Sequence, residues 1–321
     1  MFADERIAVI GAGLAGCLVA RQLADRGGMP EVFEKSRGTG GRLAAARLGG
    51  ASADLGAALI DSKAAMHLLD ARAQLPLEQW PHKRSDMKLM TCAEEEGWVP
   101  MPRASSLTRA LLEGVPLYTE TRIVALEEHN QGGWWLHTEA GETKGPYTRV
   151  VLAVPAPQAV PLLAASDPLQ RAASSARMTP SWVSLLELPE RPVKLAEVDV
   201  LEGDHPILAR ICRDSSKPGR SGEIWQLQAN TRWSEQYVDA DPGWVGQQLI
   251  GALSALLGES VKPDALRVHR WLYSNVESSQ KIRPVSSCGS LAVCGDWVCG
   301  QGILAAVESA NLLIRALETN D

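Results

Sequence analysis

The chain reads Val9-Ile-Gly-Ala-Gly-Leu-Ala-Gly16 directly after an apolar run, and Glu34 closes the next apolar run. No other feature limits the possible folds as strongly. Arg6–Ile10 is short, apolar and bounded by glycine, which suits a buried strand. Leu14 to Arg26 suits a helix that Gly27 and Gly28 stop, and Glu31 to Glu34 suits a second strand. A strand, a helix and a strand within about thirty residues imply a crossover between parallel strands. Gly11 allows the tight turn, Gly13 lets a pyrophosphate approach the backbone, and Gly16 lets the helix pack closely on the strand. The helix start offers free N–H groups and roughly half a positive charge to an anion. Glu34 can accept hydrogen bonds from ribose hydroxyls, and its charge disfavours a 2′-phosphate.

The fold class that follows is α/β: a Rossmann-type nucleotide-binding domain with a parallel sheet, plus an inserted α+β substrate domain. Helical texture runs from Lys63 to Leu75 and from Ser105 to Gly114. Strands are expected at Leu117–Leu126, Trp134–Glu139 and Arg149–Val154, with a turn at Asn130–Gly133 between the first two. Residues 76–104 carry Trp80, Pro81, Trp98, Pro100 and Pro102 and read as irregular. From about 165 to 275 the texture changes. Strand-like segments at Trp182–Leu188, Ile207–Cys212 and Ile224–Ala229 precede an amphipathic helix at Trp244–Leu257. The chain closes with a strand at Ser290–Cys294, then Gly295 and Asp296, then a helix from Gly302 to Leu317. The nucleotide-binding domain is therefore expected in three parts, 1–75, 105–164 and 276–321. The substrate domain takes 76–104 and 165–275.

At 321 residues and 45% hydrophobic content the chain can bury a sizeable core. A net charge of −6 argues against a nucleic-acid or anionic-membrane partner. No stretch reaches the roughly 20 apolar residues of a membrane span. No signal-peptide pattern opens the chain. Six scattered cysteines, none in a CxxC pair, suit reduced thiols, so the expected compartment is the cytoplasm. The six histidines are dispersed without metal-ligand spacing, and no metal is expected. Ser278-Ser-Gln-Lys281 matches SxxK but lacks the companion motifs, and no GxSxG occurs.

Three features point to FAD rather than NAD. Lys35-Ser-Arg-Gly-Thr-Gly-Gly-Arg42 follows the acidic residue at once; its glycines let backbone amides curl around an anion, and Arg42 adds a planar cation suited to phosphate. Asp54-Leu-Gly56-Ala57-Ala58-Leu59 offers small residues beside which a flat ring could pass. Asp296 is placed for a ribityl hydroxyl, and the helix starting at Gly302 and Ile303 can point at the N1/C2=O edge of a flavin. There its dipole would favour the reduced form by about 0.3–2 kcal/mol.

Gly11-x-Gly13-x-x-Gly16, Glu34-Lys35, Gly40-Gly41-Arg42, Asp54-Leu-Gly-Ala57 and Gly295-Asp296 resemble the FAD-dependent amine-oxidase superfamily. Within it the likeness is to the renalases in their shorter bacterial form. It also rests on Gly41-Arg-Leu-Ala-Ala-Ala-Arg47, Thr121-Arg-Ile-Val-Ala-Leu126 and Trp271-Leu-Tyr-Ser-Asn-Val276. The resemblance implies a noncovalent FAD contacted along Gly11, Ala12, Gly13, Leu14, Ala15 and Gly16. It implies that Ile123 gives backbone contacts to the adenine. It also implies oxidation of the 2- or 6-dihydro isomers of NAD(P)H to NAD(P)+, with O2 reduced to H2O2. Two departures stand out: Glu308-Ser-Ala-Asn311 replaces the usual Ser-Gly, and Gln228 stands where several relatives carry His.

A dihydropyridine is already a hydride donor, so this reading requires no catalytic side chain; the flavin carries the chemistry and the protein aligns two rings at about 3–3.5 Å. Gln228 and Trp271 are the candidate substrate contacts. Trp80, Trp98, Trp182 and Trp225 are further candidates to wall the cavity, and Arg103, Arg210 and Arg232 to meet the substrate's phosphates. Three alternatives stay open: an amine oxidase of the same fold, a FAD-stabilised binding protein without turnover, and an isoprenoid desaturase.

Overall fold

The computed structural model describes residues 2–72, 74–129, 132–163 and 167–319. The expected turn at Asn130–Gly133 lies partly outside the described residues, at Asn130 and Gln131.

Five parallel strands form one sheet, in the order Leu291–Val293, Arg149–Leu152, Arg6–Ile10, Met29–Phe33 and Leu117–Tyr118. Both faces are covered, which is why Ile7 to Ile10 are apolar without alternation. Ile7 and Val9 pack against Leu18 and Val19 of the helix Leu14–Asp25 and against Leu313 of the last helix, Gly302–Glu318. Ala8 and Ile10 turn the other way, onto Trp134, Leu136 and Tyr147. Those three residues come from a small antiparallel sheet of Ile123–Glu128, Trp134–Thr138 and Thr143–Tyr147. Segments from both ends of the chain thus share one core. An amide–amide hydrogen bond of 2.9 Å from Gln22 to Asn311 ties the first helix to the last.

The second sheet has seven strands, in the order Ala265–Ser278, Arg177–Glu187, Ile224–Ala229, Leu208–Arg213, Val200–Glu202, Leu77–Asp86 and Ala93–Pro100. All its pairings are antiparallel except that between Val200–Glu202 and Leu77–Asp86. One face carries the helix Pro242–Leu257, which starts where the Asp241 carboxylate accepts from Trp244 N at 2.9 Å. The opposite face meets the hairpin Ala45–Leu48/Ala51–Asp54, where Val183, Leu185 and Ile224 pack on Ala46, Leu48, Ala53 and Leu55.

Several expectations need correction. Residues 76–104 are largely not irregular: they supply two strands of the second sheet. Pro81 hid this, but it lies beyond the 84–86 stretch that pairs with Val200–Glu202, so that ladder needs no N–H from it. The strand expected over Leu117–Leu126 is split, because Glu120 adopts a left-handed φ of 52° and breaks the extended run. Trp182 and Trp225 are buried beneath the helix Pro242–Leu257, on the face away from the nucleotide-binding half. The two-residue period of a strand decides this, since their neighbours Ser181, Val183, Ile224 and Gln226 take the other face. Among the described residues no helix is long and apolar enough to cross a membrane, and no group of three or more His, Cys, Asp or Glu side chains could hold a metal.

Candidate functional site

The first half of the site grows from the strand Arg6–Ile10. Its last step is Gly11, whose φ of 108° suits only glycine and whose Cβ, if added, would lie 2.5 Å from the Ala153 carbonyl oxygen. A Cβ at Gly16 would overlap the Gly11 carbonyl oxygen. A Cβ at Gly13 would meet nothing within 4 Å, so the chain is open to an approaching group there. Gly13 caps the helix containing Leu14, Ala15 and Gly16. As a glycine it gives that helix start no side-chain cap, and no acidic residue lies in the first turn.

Glu34 is buried at the end of the second strand. Its two carboxylate oxygens accept from Ala12 N and Ser36 N, each at 2.8 Å. Each oxygen keeps further acceptor capacity. Lys35 donates to Gln158 at 3.1 Å. The glycine loop then folds back: Gly40 N donates to Ala12 O at 2.9 Å, and a Cβ on Gly41 would lie 3.3 Å from Gly13 Cα. Ile123 is buried in the same cluster as Phe33, and Thr121 N donates to Glu34 O at 2.9 Å, so the start of the Ile123–Glu128 strand sits beside Glu34.

Arg42 and Asp296 lie together in the structure. Sequence reading gave them separate tasks, one toward phosphate and one toward a ribityl hydroxyl. In the structure they face each other, with bidentate bonds of 2.6 and 2.7 Å, and Arg42 also donates to Ser274 O at 3.0 Å. The Asp296 side chain is 1% exposed, and a carboxylate so buried requires a countercharge. Asp296 further accepts from Trp297 N at 3.0 Å and, weakly, from Gly302 N at 3.4 Å. Gly302 and Ile303 open the last helix, whose N-cap residue Gln301 gives no side-chain cap, so that only the weak bond to Asp296 reaches its first N–H. A chain of contacts, Gly13–Gly41–Arg42–Asp296–Gly302, therefore brings two helix starts together from opposite ends of the sequence.

Gly56, Ala57, Ala58 and Leu59 form the turn after the hairpin. A Cβ at Gly56 would overlap Arg42 O, and Ala57 N donates to that same oxygen at 2.9 Å. Ala58 is buried, whereas Ala57 and Leu59 keep part of their surface exposed. Against this turn lies the second sheet. Trp271 donates from Nε1 to Leu55 O at 3.3 Å and meets His269 edge-on with centroids 4.3 Å apart. Gln228 donates to Ser181 Oγ at 3.3 Å. Strand register sets Gln228 opposite Val183, Val183 opposite His269 and Ser181 opposite Trp271, so these polar groups share one face.

The remaining candidates fare differently. Trp80 is buried with Val99, Val200 and Cys212, and Trp98 bridges to Ile60 through backbone bonds. Arg210 is ion-paired with Glu202 on the neighbouring strand, and Arg232 is exposed on a short helix. Sequence reasoning missed Gln226, Lys217, Arg220 and His269. Gln226 had one available signal, the Gln226-x-Gln228 alternation on a strand. The lysine and arginine sit in a loop, Lys217-Pro-Gly-Arg220, that resembles any solvated turn.

Residues 87–312, more than half of the chain, match the family described as flavin containing amine oxidoreductase. The chain belongs to the flavin-containing amine oxidoreductase family. Residues 9–72 match the NAD(P)-binding Rossmann-like domain. Solved structures share the fold of this amine oxidoreductase at low identity. One, from Exiguobacterium sp. 255-15 and provisionally named a protoporphyrinogen oxidase, is 12% identical with a TM-score of 0.78, covering 100% of both chains. A CLA-producing fatty acid isomerase from P. acnes is 12% identical with a TM-score of 0.75, covering 97% of this chain and 98% of its own. An oxidoreductase from Methanosarcina mazei is 12% identical with a TM-score of 0.73, covering 97% and 100%.

The amine oxidoreductase site fits the flavin cofactor that its family implies. Gly13 leaves room at its backbone, neither helix start is capped by its own N-cap residue, and Glu34 retains acceptor capacity beside the first of them. A dinucleotide with a diphosphate needs these features, and a packing turn needs none of them.

Proposed function

We propose that this member of the family is a renalase-like oxidase that binds FAD noncovalently and converts the 2-dihydro isomers of NAD(P)H, and secondarily the 6-dihydro isomers, to NAD(P)+. The overall change removes a hydride from the dihydropyridine, takes one proton from solvent and turns O2 into H2O2. When bound, the flavin supplies the acceptor for the two electrons and their passage to oxygen.

The chain's own residues bind and orient. Glu34 would hold the adenosine ribose, and the helix start at Gly13 to Gly16 the diphosphate. Ile123 would flank the adenine, and Gly302 and Ile303 the pyrimidine edge of the isoalloxazine. The observation that carries the substrate reading is the polar sheet face beside the Asp54–Ala57 turn. Gln228, hydrogen-bonded to Ser181, can both donate to and accept from a carboxamide. The Trp271 ring, edge-on to His269, supplies an aromatic wall. A flat ring bearing an amide suits such a face better than a lipid does. The unpaired cysteines suit a reducing compartment and support a cytoplasmic location as part of this reading.

Anaerobic mixing of the FAD-loaded enzyme with separated 2-, 4- and 6-dihydronicotinamide dinucleotides tests the proposal. Fast bleaching of the flavin band is expected with the 2-dihydro isomer. Bleaching by the ordinary 4-dihydro form alone, or by primary amines alone, would contradict it.

A further inference from the structure

The turn Asp54–Ala57 belongs to the nucleotide-binding half, yet most of its polar groups are held from the second domain. The Asp54 carboxylate accepts at Oδ2 from Lys217 Nζ and Arg220 NH2, each at 2.9 Å, and at Oδ1 from Ala104 N at 2.8 Å. Lys217 also donates to Asp214 at 2.7 Å, and none of these four charged side chains is more than 2% exposed. The carbonyls of the turn are taken as well. Gln226 Nε2 donates to Asp54 O at 2.7 Å and to Gly56 O at 2.9 Å, and Trp271 donates to Leu55 O. The N–H groups point the opposite way: Leu55 N and Gly56 N to Ala44 O, and Ala57 N to Arg42 O. The turn is therefore fixed from both sides.

Burial pulls the Lys217 pKa down, but Asp214 and Asp54 outweigh it and hold the lysine pKa above its ordinary value. Arg220 Nε and NH1 are buried without a partner among the described residues, so donors exceed acceptors around Asp54 there. A buried ion cluster adds little net stability, but it is costly to break and can select one arrangement of the parts it joins. Here the parts are two domains. The turn presses on Arg42, which binds Asp296 at the start of the last helix, so the position of the second sheet reaches both helix starts.

We propose that Lys217, with Arg220, is a positioning residue for the flavin: it fixes the Asp54 turn from the second domain, so that the cofactor seat is complete only when the two domains are docked. This rests on the reading that the flavin lies against that turn.

The test uses full-length apoprotein titrated with FAD, recording the dissociation constant, the shape of the visible band, the reduction potential and the melting of the apoprotein. Lys217→Met is expected to weaken FAD binding by about 10-fold or more and to alter the band and the potential, because buried Asp214 loses its lysine, Asp54 keeps only Arg220 as a countercharge, and the rearranged cluster displaces the turn. Lys217→Arg is expected to restore affinity to within about 3-fold, since it returns the charge. A Lys217→Met protein that melts lower yet binds FAD with unchanged affinity, spectrum and potential overturns the proposal. If that variant does not fold, Gln226→Ala decides, because it breaks the same anchorage without leaving a charge. Weaker FAD binding with a shifted band supports the proposal, and an unchanged titration overturns it. Wild-type protein that binds no FAD overturns the flavin reading itself, and this proposal with it.

Discussion

The two halves of the site are built by different means. From Gly11 to Gly41 the nucleotide seat is made of backbone: glycines that leave room, a helix start with free N–H groups, and one carboxylate held by two amides. From Ser181 to Trp271 the proposed substrate seat is made of side chains on one face of an antiparallel sheet, each placed on that face only through strand register. Backbone geometry ties function to residue type at fixed spacing. A sheet face ties it to packing, and one step along a strand sends a side chain to the opposite face. The nucleotide half should accordingly fail all at once when a glycine is filled, and the sheet half should fail by degrees.

The largest expected effect is Gly16→Val, whose side chain would collide with the Gly11 carbonyl. Overpacking at this contact is expected to abolish FAD retention, an affinity loss of roughly 100-fold or more, seen as protein that purifies colourless. Glu34→Ala comes next. It removes the acceptor for Ala12 N and Ser36 N as well as for the ribose, and a lost bond to a charged group is worth about 1.5–3 kcal/mol. An FAD dissociation constant raised roughly 10- to 100-fold in a fluorescence titration is the corresponding outcome. On the sheet half, Gln228→Ala is expected to raise KM roughly 5- to 10-fold through one lost neutral hydrogen bond, with flavin content unchanged. A fall in flavin content instead would erase the distinction between the halves.

The smallest effect is a pH dependence. Burial, with Arg267 in second place, lowers the pKa of His269 below its ordinary 6.5, so the ring is neutral at pH 7. Between the lowered value and 6.5 the unfolded chain binds more protons than the folded one. Stability therefore rises with pH across that window and falls as the solution is acidified through it. His269→Gln is expected to flatten this part of the melting curve against pH, and a slope as steep as in the wild type would remove His269 as its source.

The difference in construction also explains what one sequence reveals. The βαβ unit, the parallel sheet and the glycine contacts were legible because Gly11, Gly13, Gly16 and Glu34 have few other reasons to stand at that spacing. The last helix was legible from Gly295 and Asp296. The pairing of Arg42 with Asp296 was not, since it joins residues 254 positions apart and no local pattern records it. The strands at Leu77–Asp86 and Ala93–Pro100 were hidden by Pro81 and by runs of charge such as Glu94, Glu95 and Glu96. Trp182 and Trp225 looked like cavity walls because an aromatic residue carries no sign of which sheet face it occupies. Lys217 and Arg220 gave no signal in the sequence, because burial of a short polar loop is a tertiary fact.

If two helix starts, one near each terminus, converge on a single flavin, FAD supplied to the purified chain stays bound when the excess is removed, and heat then releases it for quantification. The expected result is a yellow protein that gives up one FAD per chain with none left on the denatured polypeptide. A protein that stays colourless after reconstitution would contradict it.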